Sequence, residues 1–388
     1  TTAPSSATPR LDDWAVSASW ENFESGSYVQ SPFTAFSQPA PTAFLSPANN
    51  TLSNTVISAS TVVLDQYTTT IDPPAQPVVW ANEGGDQSFA EYTIGTGTWN
   101  DLLVPDEHAG ANGNTNFTTA SGSSSFVLDN KVYTTVGNAS AVFHEFNPYT
   151  DATGDWNQVG VTLNGTLAVG GDTAVGAGGV VYFLRGGGNS NIYWWNSGAG
   201  TENGFTATTN GTTGLTLGQG SAMAYAPTAA RLFVIHTSNG TGDEYLRWAA
   251  NPGTATTNQT FATNNIIMVD AGSWARMVYA TSGASNTEYL FAITRQGGAN
   301  KLMVIRNLNG TPAATSVAVW PTGWGNLGDG CNLAWDGING GYLYATIGGN
   351  QSGFARIDIP DDPTGAGNWG SWGAPTEITA APWDTTPW

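Results

Sequence analysis

The sequence predicts an all-β fold, a β-propeller with six recognisable four-stranded blades, and its length leaves room for a seventh. Three observations predict it. A strand–turn–strand unit recurs six times, the turns carry glycine or asparagine at a regular spacing, and a short small-residue strand precedes most of the pairs.

The six units are PVVWANEGGDQSFAEYTI from Pro77, VYTTVGNASAVFHEFN from Val132, VYFLRGGGNSNIYWWN from Val181, LFVIHTSNGTGDEYLRWA from Leu232, YLFAITRQGGANKLMVIRN from Tyr289 and YLYATIGGNQSGFARIDI from Tyr342. Their turn glycines are Gly85, Gly137, Gly186, Gly240, Gly297 and Gly348, separated by 52, 49, 54, 57 and 51 residues. Each half is β-branched and aromatic, as strands are, and Gly or Asn at the turn supplies the positive φ of a tight hairpin. The preceding strands are SSSFVL at Ser123, DTAV at Asp172, SAMAY at Ser221, ARMVY at Ala275 and CNLAW at Cys331. Small residues suit strands that crowd around a central axis. A fourth segment follows, carrying Trp99, Trp156, Phe261, Trp320 or Trp369. Four strands in about 50 residues make a propeller blade.

These units resemble kelch repeats, the blade type of the central domain of galactose oxidase, over roughly Ser60 to Trp372. The double glycine is intact in units one, three, five and six; it is Gly137-Asn138 and Asn239-Gly240 in the others. The resemblance implies the blade pattern. It also raises a copper-radical oxidase, whose chemistry needs a Tyr crosslinked to Cys, a second Tyr and two His. No His neighbours Cys331 in sequence, so that active site is not carried over and no cofactor is expected.

Residues 51–388 are assigned to the propeller and residues 1–50 to an extended N-terminal arm or a degenerate blade. The arm holds WAVSASW at Trp14 and SYVQSPFTAF at Ser27 but no glycine-turn unit. EITAAPW from Glu377 is a candidate closing strand, because pairing the termini in one blade removes sheet edges.

Composition sets the function classes. The 388 residues include 10 Lys+Arg against 29 Asp+Glu, a formal charge of −19. A base-poor surface cannot displace counterions from nucleic acid and is not drawn to anionic membranes. No apolar run is long enough to insert in a bilayer as a helix. One cysteine, Cys331, excludes an intramolecular disulfide and reads as a buried, inert thiol. The start at Thr1 reads as a mature chain after signal-peptide removal, so the expected location is extracellular, secreted or at the cell surface.

Candidate site residues follow from chemistry. Asp172, Asp329 and Glu83 fall at strand starts or turns, where propeller loops line one face near the axis. Arg276, beside Trp274, is a rare cation there. An Asp/Arg/Trp cluster suits sugar or uronate binding, and paired carboxylates would suit polysaccharide cleavage. Among 16 Trp, the adjacent Trp194 and Trp195 should face opposite sides of a strand, one buried and one more exposed for stacking on sugars. His108, His144 and His236 lie in different repeats without ligand spacing, so no metal site is expected. The acidic turns at Asn147 and Asp361 lack the EF-hand spacing and read as ordinary turns. N-glycosylation sequons stand at Asn49, Asn116, Asn138, Asn164, Asn210, Asn239, Asn258, Asn309 and Asn350, with Asn138, Asn239 and Asn350 at the same turn of alternate units.

The reading that results is a secreted, glycosylated, non-catalytic propeller. Its expected partners are glycans or other copies of itself, joined through the arm in a surface assembly or filament. The alternative is a glycoside hydrolase or lyase using axial carboxylates.

Overall fold

The computed structural model describes residues 78–377 apart from 83–88, 103–121, 149–154, 210–212, 219, 237–243, 271–272, 284, 320–325, 329, 339, 349–353 and 361–375. All of these lie in the compact unit Gln76–Trp388. The arm expected at residues 1–50 lies outside the described residues. So do Glu83, Gly85, His108, Gly240, Trp320, Asp329, the Asp361 turn and Trp369.

Six antiparallel sheets follow one another along the chain. Blade 1 contains β1 (Val78–Asn82), β2 (Phe89–Thr93) and β3 (Thr98–Asp101). Blade 2 contains β4 (Ser125–Leu128), β5 (Lys131–Thr135), β6 (Phe143–Asn147) and β7 (Asp155–Gln158). Blade 3 contains β8 (Asp172–Val175), β9 (Val180–Leu184), β10 (Asn191–Asn196) and β11 (Thr201–Thr208). Blade 4 contains β12 (Ala222–Ala226), β13 (Arg231–His236), β14 (Glu244–Ala250) and β16 (Ala262–Val269), and its β15 (Gln259–Thr260) crosses to pair in parallel with β11. Blade 5 contains β17 (Ala275–Ser282), β18 (Thr287–Gln296), β19 (Ala299–Arg306) and β20 (Ala313–Val319). Blade 6 contains β21 (Asn332–Trp335), β22 (Tyr342–Thr346), β23 (Phe354–Asp358) and β24 (Thr376–Glu377).

The repeated pairs of the sequence are the second and third strands of each blade. The small-residue segments are the innermost strands, and DTAV at Asp172 is β8 residue for residue. The turn glycines Gly137, Gly186, Gly297 and Gly348 all have positive φ. Thr376–Glu377 pairs with β23 as the outermost described strand of blade 6, and the rest of the closing-strand candidate EITAAPW, residues 378–383, lies outside the described residues.

Burial explains why the blades form a ring. Each sheet has two apolar faces, and each face needs a neighbour. Phe89, Phe146 and Trp156 join blades 1 and 2, and Phe143, Phe183 and Trp195 join blades 2 and 3. Tyr182, Trp194 and Tyr225 join blades 3 and 4; Phe233, Met277 and Leu290 join blades 4 and 5. Leu302 and Leu343 join blades 5 and 6. Tyr92, Tyr344 and Phe354 then join blade 6 back to blade 1. The molecule is a six-bladed β-propeller.

Candidate functional site

The site is built where the inner strands begin. Asp172 lies opposite Leu184, Ala222 opposite Ile235, Arg276 opposite Ile293 and Asn332 opposite Thr346. Ser124 takes the matching place in blade 2, where its carbonyl accepts the Thr135 amide at 3.0 Å. Ser124, Asp172, Ala222 and Asn332 therefore occupy one position in four blades, around one end of the axis, and Arg276 lies on the inner strand of blade 5.

A glycine precedes four of them by two residues: Gly122, Gly170, Gly220 and Gly330, with φ of 86, 83, 79 and 84°. At two of these the need for glycine is steric as well. A Cβ on Gly122 would meet the Ala168 carbonyl oxygen at 2.0 Å, and one on Gly220 would meet that of Ser273 at 2.0 Å. Segments leading into neighbouring blades thus pass backbone to backbone, which side chains would prevent.

Asp172 is 6% exposed. Its Oδ1 accepts the Thr173 amide at 2.9 Å and the Ser124 hydroxyl at 3.2 Å, and its Oδ2 accepts the Met223 amide at 2.8 Å. Ser124 Oγ also shares a hydrogen bond with Thr173 Oγ1 at 2.8 Å. Burial pushes the Asp172 carboxyl above the usual carboxylate range; the Arg276 charge and the three donors act against that shift. Arg276 is itself buried and donates from Nη1 to the Ala275 carbonyl at 2.9 Å. One carboxylate therefore links blades 2, 3 and 4, with a cation of blade 5 in its field.

Asp172 and Arg276 are both buried, and the Arg276 charge acts on the Asp172 carboxyl. Trp274 is buried too, but in the cluster between blades 5 and 6. Asp329 lies outside the described residues. What sequence reasoning missed is Ser124, Thr173 and the Met223 amide. The glycine recurring two residues ahead is the signal that aligns these positions.

The tryptophan pair corrects an expectation. Trp194 and Trp195 do face opposite sides, but both are buried, at 6% and 5% exposure. Trp194 Nε1 donates to the Ala255 carbonyl at 2.7 Å, from the segment that blade 4 lays against blade 3. The Trp195 ring stands 5.1 Å from Phe143, edge to face, in the opposite interface. Alternation exposes one ring only in a sheet with one free face, and these blades have none.

The remaining candidates are dispersed. His144 is buried and pushed down to about 4 by burial. His236 accepts the Thr216 amide at Nε2, 3.3 Å away, and is pushed down to about 4 by burial and then by Arg247. Cys331 is buried. Among the described residues no group of three or more His, Cys, Asp or Glu is placed to hold a metal ion. Asn138, Asn164, Asn258 and Asn309 are exposed. Asn49, Asn116, Asn210, Asn239 and Asn350 lie outside the described residues.

Solved structures similar to this chain include a fungal alcohol oxidase of the AA5 family in complex with copper, at 15% identity over 80% of this chain and 63% of that one, with a TM-score of 0.46. The major Malassezia sympodialis allergen Mala s 1 is similar at 14% identity over 78% of this chain and 89% of that one, TM-score 0.43. An auxiliary nutrient binding protein from Bacteroides thetaiotaomicron is similar at 8% identity over 72% and 65%, TM-score 0.45. The chain spans 63% of the oxidase's length, less than two thirds. No family model matches the chain, and no curated protein does.

Proposed function

We propose that this chain is an extracellular, non-catalytic propeller that serves as a subunit of a surface assembly. It carries glycans on exposed asparagines and joins other copies of itself through the chain ahead of the propeller. The observation that carries this reading is the use of Asp172. A glycosidase carboxyl must be free to give up a proton or attack a sugar carbon. The Asp172 oxygens are closed off from solvent and taken by Thr173, Ser124 and Met223, so this carboxylate acts between blades. Trp194 and Trp195 are likewise spent on packing, and sugar binding would have to use other rings.

Mass photometry of native material, with glycan mapping by mass spectrometry, tests the reading. It predicts particles of several copies and modified asparagines among Asn138, Asn164, Asn258 and Asn309. Single copies that cleave a polysaccharide would overturn it.

A further inference from the structure

Among the described residues, Arg276 is the one buried lysine or arginine, at 5% exposure. It stands on β17, an innermost strand, near the end where the inner strands begin. Its neighbours Ala275 and Met277 pack between blades 4 and 5. Alternation turns the Arg276 side chain the other way, to the side on which Ala280 packs between blades 5 and 6.

A buried charge is costly unless it is paired and hydrogen-bonded. A guanidinium has five N–H donors to place. Arg276 places one, from Nη1 to the neutral Ala275 carbonyl at 2.9 Å. No described residue accepts from its Nε or Nη2. The described ion pairs are Lys131–Glu145 and Arg356–Asp358, and neither involves Arg276. Asp172 does not supply the missing partner. It feels the Arg276 charge, but its oxygens are taken by Thr173, Ser124 and Met223.

Arg247 and Arg356 also have an unpartnered Nε, but there the atom is closed to solvent. Nε and Nη2 of Arg276 keep contact with solvent. Together they form one edge of the guanidinium plane, with two parallel N–H bonds that match the two oxygens of a carboxylate. The low exposure admits a small group only. The nearby Asp172 carboxyl limits that group to a single negative charge.

We propose that Arg276 binds a small carboxylate at the Asp172 end of the axis, through its Nε–Nη2 edge. This goes beyond the assembly reading and does not depend on it, because a carboxylate on Arg276 leaves the Asp172 bonds as they are.

Acetate is the probe, titrated into the full chain carrying isotope-labelled arginine, with ionic strength held constant by chloride. One arginine Nε–H resonance, the one absent from Arg276→Lys, is expected to shift saturably. Affinity read from the line width of labelled acetate should fall about tenfold or more in Arg276→Lys, which keeps the charge and loses the fork. It should vanish in Arg276→Gln. Thermal melts check that both variants fold; if they do not, the Nε–H shift in the unaltered chain decides. No saturable shift, or equal binding by a folded Arg276→Gln, would overturn the proposal. So would a shift that appears only in Asp329→Asn, because the chain's own Asp329 would then hold the fork.

Discussion

The Asp172 carboxylate accepts the Met223 amide of the next blade at 2.8 Å, and the Ser124 hydroxyl of the preceding blade donates to its other oxygen at 3.2 Å. A single side chain thus holds three blades at the axis. Asp172→Ala leaves the Thr173 and Met223 amides and the Ser124 hydroxyl without their acceptor. A buried donor left unsatisfied costs about 1–3 kcal/mol. Equilibrium denaturation should show a loss of that order. Asp172→Asn should rescue little, because its amide group turns a donor toward a donor. A loss below 1 kcal/mol in Asp172→Ala would place the axis in water.

Two buried groups give stability opposite dependences on pH. His144 stays neutral in the fold down to about 4, while the unfolded chain takes up its proton near 6.5. The unfolded state then binds more protons between those values, so stability falls as pH drops from 6.5 to about 4. Asp172 has the reverse sign. Its folded pKa is raised, so its contribution is full below the ordinary carboxylate value and is lost as pH rises through the folded one. Melting temperatures measured across this range should fall toward acid, and His144→Gln should flatten the slope. An unchanged slope in the variant would show that His144 is not buried neutral.

Gly220 and Gly178 separate two costs. Both have positive φ, but a Cβ at Gly178 meets nothing within 4 Å, whereas one at Gly220 meets the Ser273 carbonyl. Gly178→Ala should cost roughly 1–2 kcal/mol, the left-handed penalty alone. Gly220→Ala should lose clearly more, because two blades must move apart. Thermal melts of the two variants check the order; equal losses would contradict the close approach.

Trp194 and Trp195 are predicted to be structural. Trp194→Ala should cost about 3–5 kcal/mol through the cavity left behind, with further loss from the unpaired Ala255 carbonyl. Acrylamide should barely quench either ring in the folded protein. Quenching of one of them, relieved by an added oligosaccharide, would restore the sugar-stacking role.

The fold was legible because each blade is made of local hairpins, whose alternation, turn glycines and spacing are written in contiguous residues. The site was half legible. Asp172 and Arg276 could be picked out as charges at strand starts in a base-poor chain. Met223 could not, because it contributes a backbone amide 51 residues away, and only closure of the ring brings it there. Trp194 and Trp195 misled for a related reason. Alternation along β10 states which ring goes to which face, but not that neighbouring blades cover both.

Cryo-electron microscopy of native material tests the central claim most directly, that this propeller works as an assembled, non-catalytic subunit. The account predicts joined copies, with Asp172 closed over by Ser124 and Met223. Separate single copies, with an open axial cleft exposing Asp172 and Arg276 to a bound saccharide, would contradict it.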